Sequence, residues 1–486
     1  MPVLNTESTP NAAPSLPVPS SPLAAFPPVL PITRRGRWLV RLLQLLYQFV
    51  AWRKGRQWQT PPTHTEENPR YMGKEEVVYL GYKYYYQPPF RFEEAIVRHF
   101  SQQELDFTPP DGFVSERRIT LSAGGDLMPY EWIVPEATAH LWDETGAFFF
   151  SCDLVFANLE TPIDWQMPPS LVPEVMLSDM LFNGSAQMFD IFSGQSGSQP
   201  PFRGYDVLST ANNHSLDMGE GGIRHTIDFL ESRGVAFTGT ARTASEAVTF
   251  PILERRGMRV AFLAYTYSLN QFEPPAGKEW LVNYLRLNRP GCPIDLIIRQ
   301  VRQARELGAD IVVVSLHVGF AYQAYPMLHT VDLFHRIFDQ AGADVILGGH
   351  PHVAQPMEKY VFRDPFSGRI KPGFAIYSLG DFVAYDIFVW DRMPIMLKVT
   401  LEKGRVGRQR HAQVTGVEVL PVYNWGSKNP DQPKQLRFLD LKKTLAQVQS
   451  GHTPPFMTHL CVQELRELNR YCDQYFLPRK WTGFGK

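Results

Sequence analysis

From Ile119 to Leu379 the chain is punctuated by short apolar runs that stop abruptly at glycine, asparagine, aspartate or histidine. The runs Ile119–Ala123, Leu154–Ala157, Val207–Thr210, Val260–Tyr265, Ile311–Leu316, Val345–Leu347 and Ala375–Leu379 read as strands. Helical patterns fall at about 220–233, 293–307 and 328–341, and glycine follows each one (Gly234, Gly308, Gly342), which is a helix stop signal. Strands alternating with helices argue for an α/β sheet that begins near Glu116. After Pro394 the pattern turns to strands such as Ile395–Leu401 and Val414–Leu420. A last amphipathic helix, about 456–476, ends at Pro478.

Composition narrows the class further. Hydrophobic residues at 44% and charged residues at 20% suit a globular protein with a sizeable core and exclude a polytopic membrane protein. A net charge of −1 leaves no basic field for nucleic acid, so none is expected as a partner. Cys152, Cys292, Cys461 and Cys472 match no zinc or disulfide spacing and are expected to be buried or inert. At 486 residues, one main domain with tails is the expected organisation.

Residues 1–33 hold nine prolines and read as a disordered head. No signal peptide is recognisable, because the first apolar stretch comes only after position 37. Between Arg34 and Arg56 lie seven basic residues and no acidic one. Arg37, Arg41, Gln44 and Gln48 form a narrow polar stripe on a helix that is otherwise Leu, Phe and Trp. Segment 34–56 is too short and interrupted to span a bilayer. It suits either a helix lying in a headgroup region or one docked on the main domain. The expected location is therefore cytoplasmic or peripheral on the inner membrane face. Residues 57–115, rich in Pro and aromatics, are expected to be an irregular lead-in. Residues 116–400 are expected to form the main domain, with 401–486 packed on it as C-terminal strands and helix.

Polar residues able to bind metal recur at the strand exits, where ligands gather in open α/β folds. The series runs Gly125-Asp126, Asn158-Leu159-Glu160, Asn212-Asn213-His214, His317-Val318-Gly319, Gly348-Gly349-His350-Pro351-His352 and Ser378-Leu379-Gly380-Asp381. Singly each is an ordinary cap or hydrogen-bonding residue. Six in succession, with four of the thirteen histidines among them, point to a metal site. Mixed His, Asp, Glu and Asn ligands without cysteine suit Mn, Fe, Zn or Mg.

This order resembles the CapA-type poly-γ-glutamate capsule-biosynthesis family, related to calcineurin-like two-metal phosphoesterases, over roughly residues 118–385. The resemblance implies a four-layer αββα sandwich of the metallophosphoesterase type with two divalent ions at the strand ends. It implies that Asp126 and His352 hold one ion, that Glu160 bridges, that Asn213, His317 and His350 hold the second, and that His214 is the general acid. Asn158, Asn212 and Asp381 are expected to contact substrate. Three departures stand out. Asp126-Leu127-Met128 lacks the usual second ligand, Ala321 stands where the family often has Glu, and Gly349 and Asp381 replace the usual His and Asn. The implied function is a metal-dependent hydrolase in capsule or surface-polymer metabolism, acting on an anionic polymer or phosphoester. A non-catalytic, membrane-associated assembly or export component that binds the polymer stands as the alternative.

Overall fold

Leu154 and Phe156 face one side of their strand and Val155, Ala157 and Leu159 the other, and all five are buried, in two separate apolar clusters. A strand covered on both faces needs apolar side chains at every position, and the continuous runs in the sequence have this origin. The computed structural model describes residues 33–176, 180–197, 200–384, 387–427 and 433–484. Its strands, in chain order, are β1 (Phe113–Leu127), β2 (Leu154–Leu159), β3 (Val207–Ser209), β4 (Ala236–Thr238), β5 (Ile252–Arg255), β6 (Met258–Thr266), β7 (Ile311–His317), β8 (Val345–Gly349), β9 (Ala354–Arg363), β10 (Ile370–Leu379), β11 (Ile395–Val406), β12 (Gln409–Gly426) and β13 (Leu436–Asp440).

They form two sheets, one ordered β13-β12-β11-β1-β2-β3-β4 and the other β5-β6-β7-β8-β10-β9. The inner faces pack on each other, with Phe156 stacked on Phe262 at 6.1 Å between ring centroids. Helices Ala186–Phe192 and Gly219–Ser232 cover the outer face of the first sheet, and Asp295–Glu306 covers β6 and β7 of the second. The result is the α/β sandwich of four layers. Gly234, Gly308 and Gly342 adopt positive φ just beyond their helices, the backbone that ends a helix without a Cβ clash. Strands β1 to β4 run parallel, as do β6, β7, β8 and β10, so their C-terminal ends gather at one edge. The four cysteines are free and buried.

Two expectations need correction. Position 400 is not a boundary, because β11 runs through it and pairs antiparallel with β1 from Phe113↔Val406 to Ala123↔Leu397. Without β11, the β1 edge would present a row of unpaired backbone groups. The lead-in is also not irregular: it contains helices Lys74–Tyr85 and Glu94–Ser101. Tyr79 and Tyr82 close on Trp58 at 5.4 and 5.2 Å, and this packing outweighs the weak helix propensity of aromatics.

The basic segment is a helix, Arg34–Lys54, capped by Thr33, whose Oγ1 accepts from Gly36 N at 2.9 Å. The rest of the expected head lies outside the described residues. One face of the helix docks on Lys74–Tyr85, with Tyr47 stacked on Tyr85, while Trp38, Leu42, Leu45, Leu46, Phe49 and Trp52 are exposed. No helix among the described residues is long and apolar enough to cross a membrane.

Deleting residues 401–486 should abolish cooperative unfolding, because it removes half of β11 and all of β12 and β13. A sharp calorimetric transition near that of the full chain would refute this dependence.

Candidate metal centre

The gathered strand ends place Asp126 at the end of β1, Glu160 just past β2, His317 at the end of β7 and His350 just past β8. One ligand atom from each of Asp126, Glu160 and His317 lies within 4.8 Å of the others, and all three residues are buried. The two sheets are tied at this point by a bridge between Asp126 and Asp381, with Phe382 N donating to Asp126 O at 2.9 Å.

The two neighbouring carboxylates behave oppositely. Burial, and then the charge of Glu160, pushes Asp126 up to about 6. Burial also acts to raise Glu160, but His317 outweighs it and leaves Glu160 at about 2. Asp126 accepts from Asn158 Nδ2 at 2.8 Å and from His350 N at 2.9 Å. His317 Nε2 stands 3.5 Å from Glu160 Oε1, yet no hydrogen bond from a described residue reaches either Glu160 oxygen. A buried charged carboxylate without donors is costly, and a cation between these groups would satisfy it.

The histidine network fixes one tautomer. Tyr267 OH donates to Glu67 O at 3.0 Å, so it accepts from His350 Nε2–H at 2.8 Å. His350 Nδ1 is then a bare lone pair; it is buried, and no described residue bonds to it. Burial holds this imidazole well below its usual range and therefore neutral. A neutral ring with one free, oriented nitrogen is the form that ligates metal. His317 Nε2 meets Asn213 Oδ1 at 2.8 Å, which joins two residues expected on one ion.

His352 Nδ1 lies 2.8 Å from Asp381 Oδ1. Burial acts to lower His352, but Asp381, Glu160 and Asp126 outweigh it and raise it to about 10. Burial pushes Asp381 up to about 8. Asp381 thus holds the Nδ1 proton of His352, and a divalent ion would displace the second proton of this ring before Nε2 could ligate it.

His214 Nδ1 lies 2.6 Å from Asp217 Oδ2, and the ring stacks on Phe182 at 3.9 Å. Asp217 also accepts from Phe182 N at 2.7 Å, so the carboxylate orients ring and loop together. Asn158 and Asn212, expected to contact substrate, are buried and hydrogen-bonded within the site. Asn158 holds Asp126, while Asn212 Nδ2 donates to Leu159 O at 2.7 Å. Buried amides with these bonds support the ligand loops and have little left for substrate.

A cavity of about 450 Å³ opens over the site, lined by Asn213, His214, His350, His352 and Asp381 together with lead-in residues. Five of the six non-glycine residues with positive φ line it: Glu67, Asn270, Tyr322, His350 and His352. Strained backbone concentrates at functional sites, because only a rigid surround keeps it there. Sequence reasoning missed Asp217, Tyr267 and Glu67. Asp217 lies one helical turn after His214, and Tyr267 directly follows β6, so both carried the strand-exit signal. Glu67 carried none.

The lead-in enters the site through a buried ion pair. Lys83 Nζ pairs with Glu67 and donates to Ala321 O at 2.7 Å, while Glu67 Oε2 accepts from Ala321 N at 2.7 Å. The lead-in therefore brings a carboxylate, paired with Lys83, against the backbone of Ala321.

Gly349 has its own reason. A Cβ there would lie 2.7 Å from Asp126 Oδ1, so no side chain fits without moving the carboxylate. Gly349→Ala should weaken divalent-metal binding about 10–100-fold, the usual effect of disturbing a ligand's support. Calorimetric titration with Mn should show it, and unchanged affinity would refute the coupling.

The bacterial capsule synthesis protein PGA_cap family matches residues 120–386. Capsule biosynthesis protein CapA of Bacillus anthracis is 30% identical over 295 residues, covering 58% of this chain and 63% of that protein. PGA biosynthesis protein CapA of Bacillus subtilis (strain 168) is 30% identical over 219 residues, covering 44% and 51% respectively. The chain thus spans between half and two thirds of the length of these relatives. Calcineurin-like phosphoesterase YfkN from Bacillus subtilis aligns with a TM-score of 0.31 at 13% identity, covering 73% of this chain and 97% of that one. With more than half of its length matched at the strands that carry the site, the chain belongs to the bacterial capsule synthesis protein PGA_cap family.

Proposed function

We propose that this protein is a metal-dependent hydrolase of the phosphoester class that serves capsule or surface-polymer biosynthesis at a membrane face. The observation that carries the proposal is Glu160, a buried carboxylate held at about 2 with neither oxygen hydrogen-bonded among the described residues. It sits between Asp126 and His317, with the free Nδ1 of His350 in the same cluster of rings.

In this reading Asp126 and His352 would hold one divalent ion, Asn213, His317 and His350 would hold a second, and Glu160 would be shared by both. The ions, from Mn, Fe, Zn or Mg, would supply the Lewis acidity that attack of water at phosphorus requires. The chain's own residues do the rest. Asn158 and His350 N fix the Asp126 carboxylate in one orientation. Tyr267 holds the proton of His350 on Nε2 and leaves Nδ1 free to ligate. Asp217 takes the Nδ1 hydrogen bond of His214 and orients the ring toward the cavity, where His214 gives a proton to the departing oxygen. Capsule metabolism comes from the names of the relatives, whose length this chain only partly spans.

One set of measurements tests the site. Reconstituted wild type should carry bound Mn, Fe, Zn or Mg by elemental analysis, and an Asp126→Ala, His350→Ala double mutant should not. His214→Ala should keep its metal and lose about 10²–10⁴-fold in rate on esters with poor leaving groups. Equal metal in wild type and double mutant removes the site, and equal rates remove His214 from the chemistry.

Membrane attachment is assigned to helix Arg34–Lys54. Its outer face exposes Trp38 and Trp52 near the two ends, where amphipathic rings favour an interface, with basic residues beyond them. Each basic residue near an anionic leaflet contributes about 1 kcal/mol before screening. A Trp38→Gln, Leu45→Gln, Trp52→Gln variant touches only exposed positions, so its melting temperature should match wild type while its sedimentation with anionic liposomes at low salt falls. Equal sedimentation would end the membrane assignment.

A further inference from the structure

The cavity over the site is mostly hydrocarbon. Leu43 and Tyr47 of the first helix, Leu80, Tyr84 and Tyr85 of the second and Tyr322 line it together with the polar residues of the site. Among the described residues that line it there is no lysine or arginine. Lys83, the nearby cation, is buried and faces Glu67 and Ala321 O. A polyanion entering here would meet positive charge only at His352 and at the metal centre, while the rest of its charges lost their hydration against the apolar lining, an unfavourable exchange. An apolar chain would gain by leaving water.

The wall and the exposed face belong to one element. Leu43 and Tyr47 turn inward to the cavity, while Leu42, Leu45, Leu46 and Phe49 of the same helix stay exposed. The helix therefore separates an apolar outer surface from an apolar inner chamber over the candidate metal centre. The buried Glu67–Lys83 pair clamps this roof to the loop after β7, so the chamber is built rather than left by loose packing.

We propose that the cavity binds the hydrocarbon chain of an amphiphilic phosphate ester drawn from the membrane, with the phosphate on the floor beside His214, His350 and His352. The proposal rests on the phosphoester reading of the metal centre and adds the substrate class. In the reaction the P–O bond to the chain-bearing alcohol breaks and a P–O bond from water forms. One proton of that water passes to the leaving alkoxide, releasing a long-chain alcohol and inorganic phosphate. Water is the sole co-reactant. Ala321 fits this class, because a side-chain carboxylate there would repel the phosphate while the Glu67 carboxylate is neutralised by Lys83.

Alkylphosphonates resist hydrolysis and separate binding from turnover. Methyl-, butyl-, octyl- and dodecylphosphonate, titrated calorimetrically below micellar concentration into the Mn-loaded full chain, should bind more tightly as the chain lengthens. Burial of each methylene should contribute about two- to fourfold. Leu80→Asp should flatten that trend, and the wild-type series alone decides if the variant does not fold. Affinity independent of chain length, or displacement of dodecylphosphonate by polyglutamate no weaker than by the alkyl series, overturns the assignment. Rising affinity without hydrolysis of dodecyl phosphate would sink the catalytic reading and leave the chain-binding cavity standing.

Discussion

Asp126 and Glu160 are both wholly buried, and a position for two carboxylates side by side away from water is unfavourable unless something compensates each charge. The surrounding structure can be followed outward from that constraint. Asp126 is met by an amide from Asn158 and a backbone N–H from His350, and it is still pushed up to about 6. Glu160 is met by imidazole charge instead and stays low. Gly349 has no side chain because the Asp126 carboxylate occupies that space. His350 and His352 take left-handed backbone on one short loop, which sets their rings 5.5 Å apart at this edge. The parallel strands deliver all of these groups to one edge, and the bridge between Asp126 and Asp381 holds the two sheets in register there.

The same logic extends to the lead-in. Burying an ion pair costs more in desolvation than attraction commonly returns, so Lys83 and Glu67 are weak evidence of stabilisation. Their hydrogen bonds to both backbone groups of Ala321 make them specific instead: they dictate where the helix Lys74–Tyr85 can sit. Through Tyr267, the Glu67 backbone also sets the tautomer of His350. A segment that looks peripheral in sequence thus controls both the roof of the cavity and the chemistry of a floor residue.

Legibility follows from which signals are local. Asp126, Glu160, Asn213, His317 and His350 were readable because each follows an apolar run and the runs alternate with helices. Position after a strand is a property of ten residues, not of the fold. Strands β3, β7 and β10 were visible for the same reason. β4 is half-buried at two of its three positions, and β9 begins Ala-Gln-Pro, so neither shows the apolar run that marks the others. The helix Lys74–Tyr85 was hidden by its tyrosines, whose reward for helical backbone comes from Trp58 and Tyr47, residues outside any local window. Glu67 and Lys83 were hidden because their partner is more than two hundred residues away. Asn158 and Asn212 were seen, but their bonds to Asp126 and Leu159 were not. Periodicity reports that an amide is at a strand exit and says nothing about which side of the ligands it faces.

The pairing of β11 with β1 bears on how the chain acquires this structure during synthesis. The site residues from Asp126 to Asp381 are all made before β11 emerges, yet β1, which carries the first of them, has an open edge until residues 395–406 arrive to cover it. Long-range pairings of this kind form slowly, because a large loop must close before any contact rewards it. Until then the first sheet lacks three of its seven strands and keeps an open edge at β1, the kind of intermediate that aggregates or recruits chaperones. The last fifth of the chain, which contributes none of the candidate site residues, sets the moment at which that site can close.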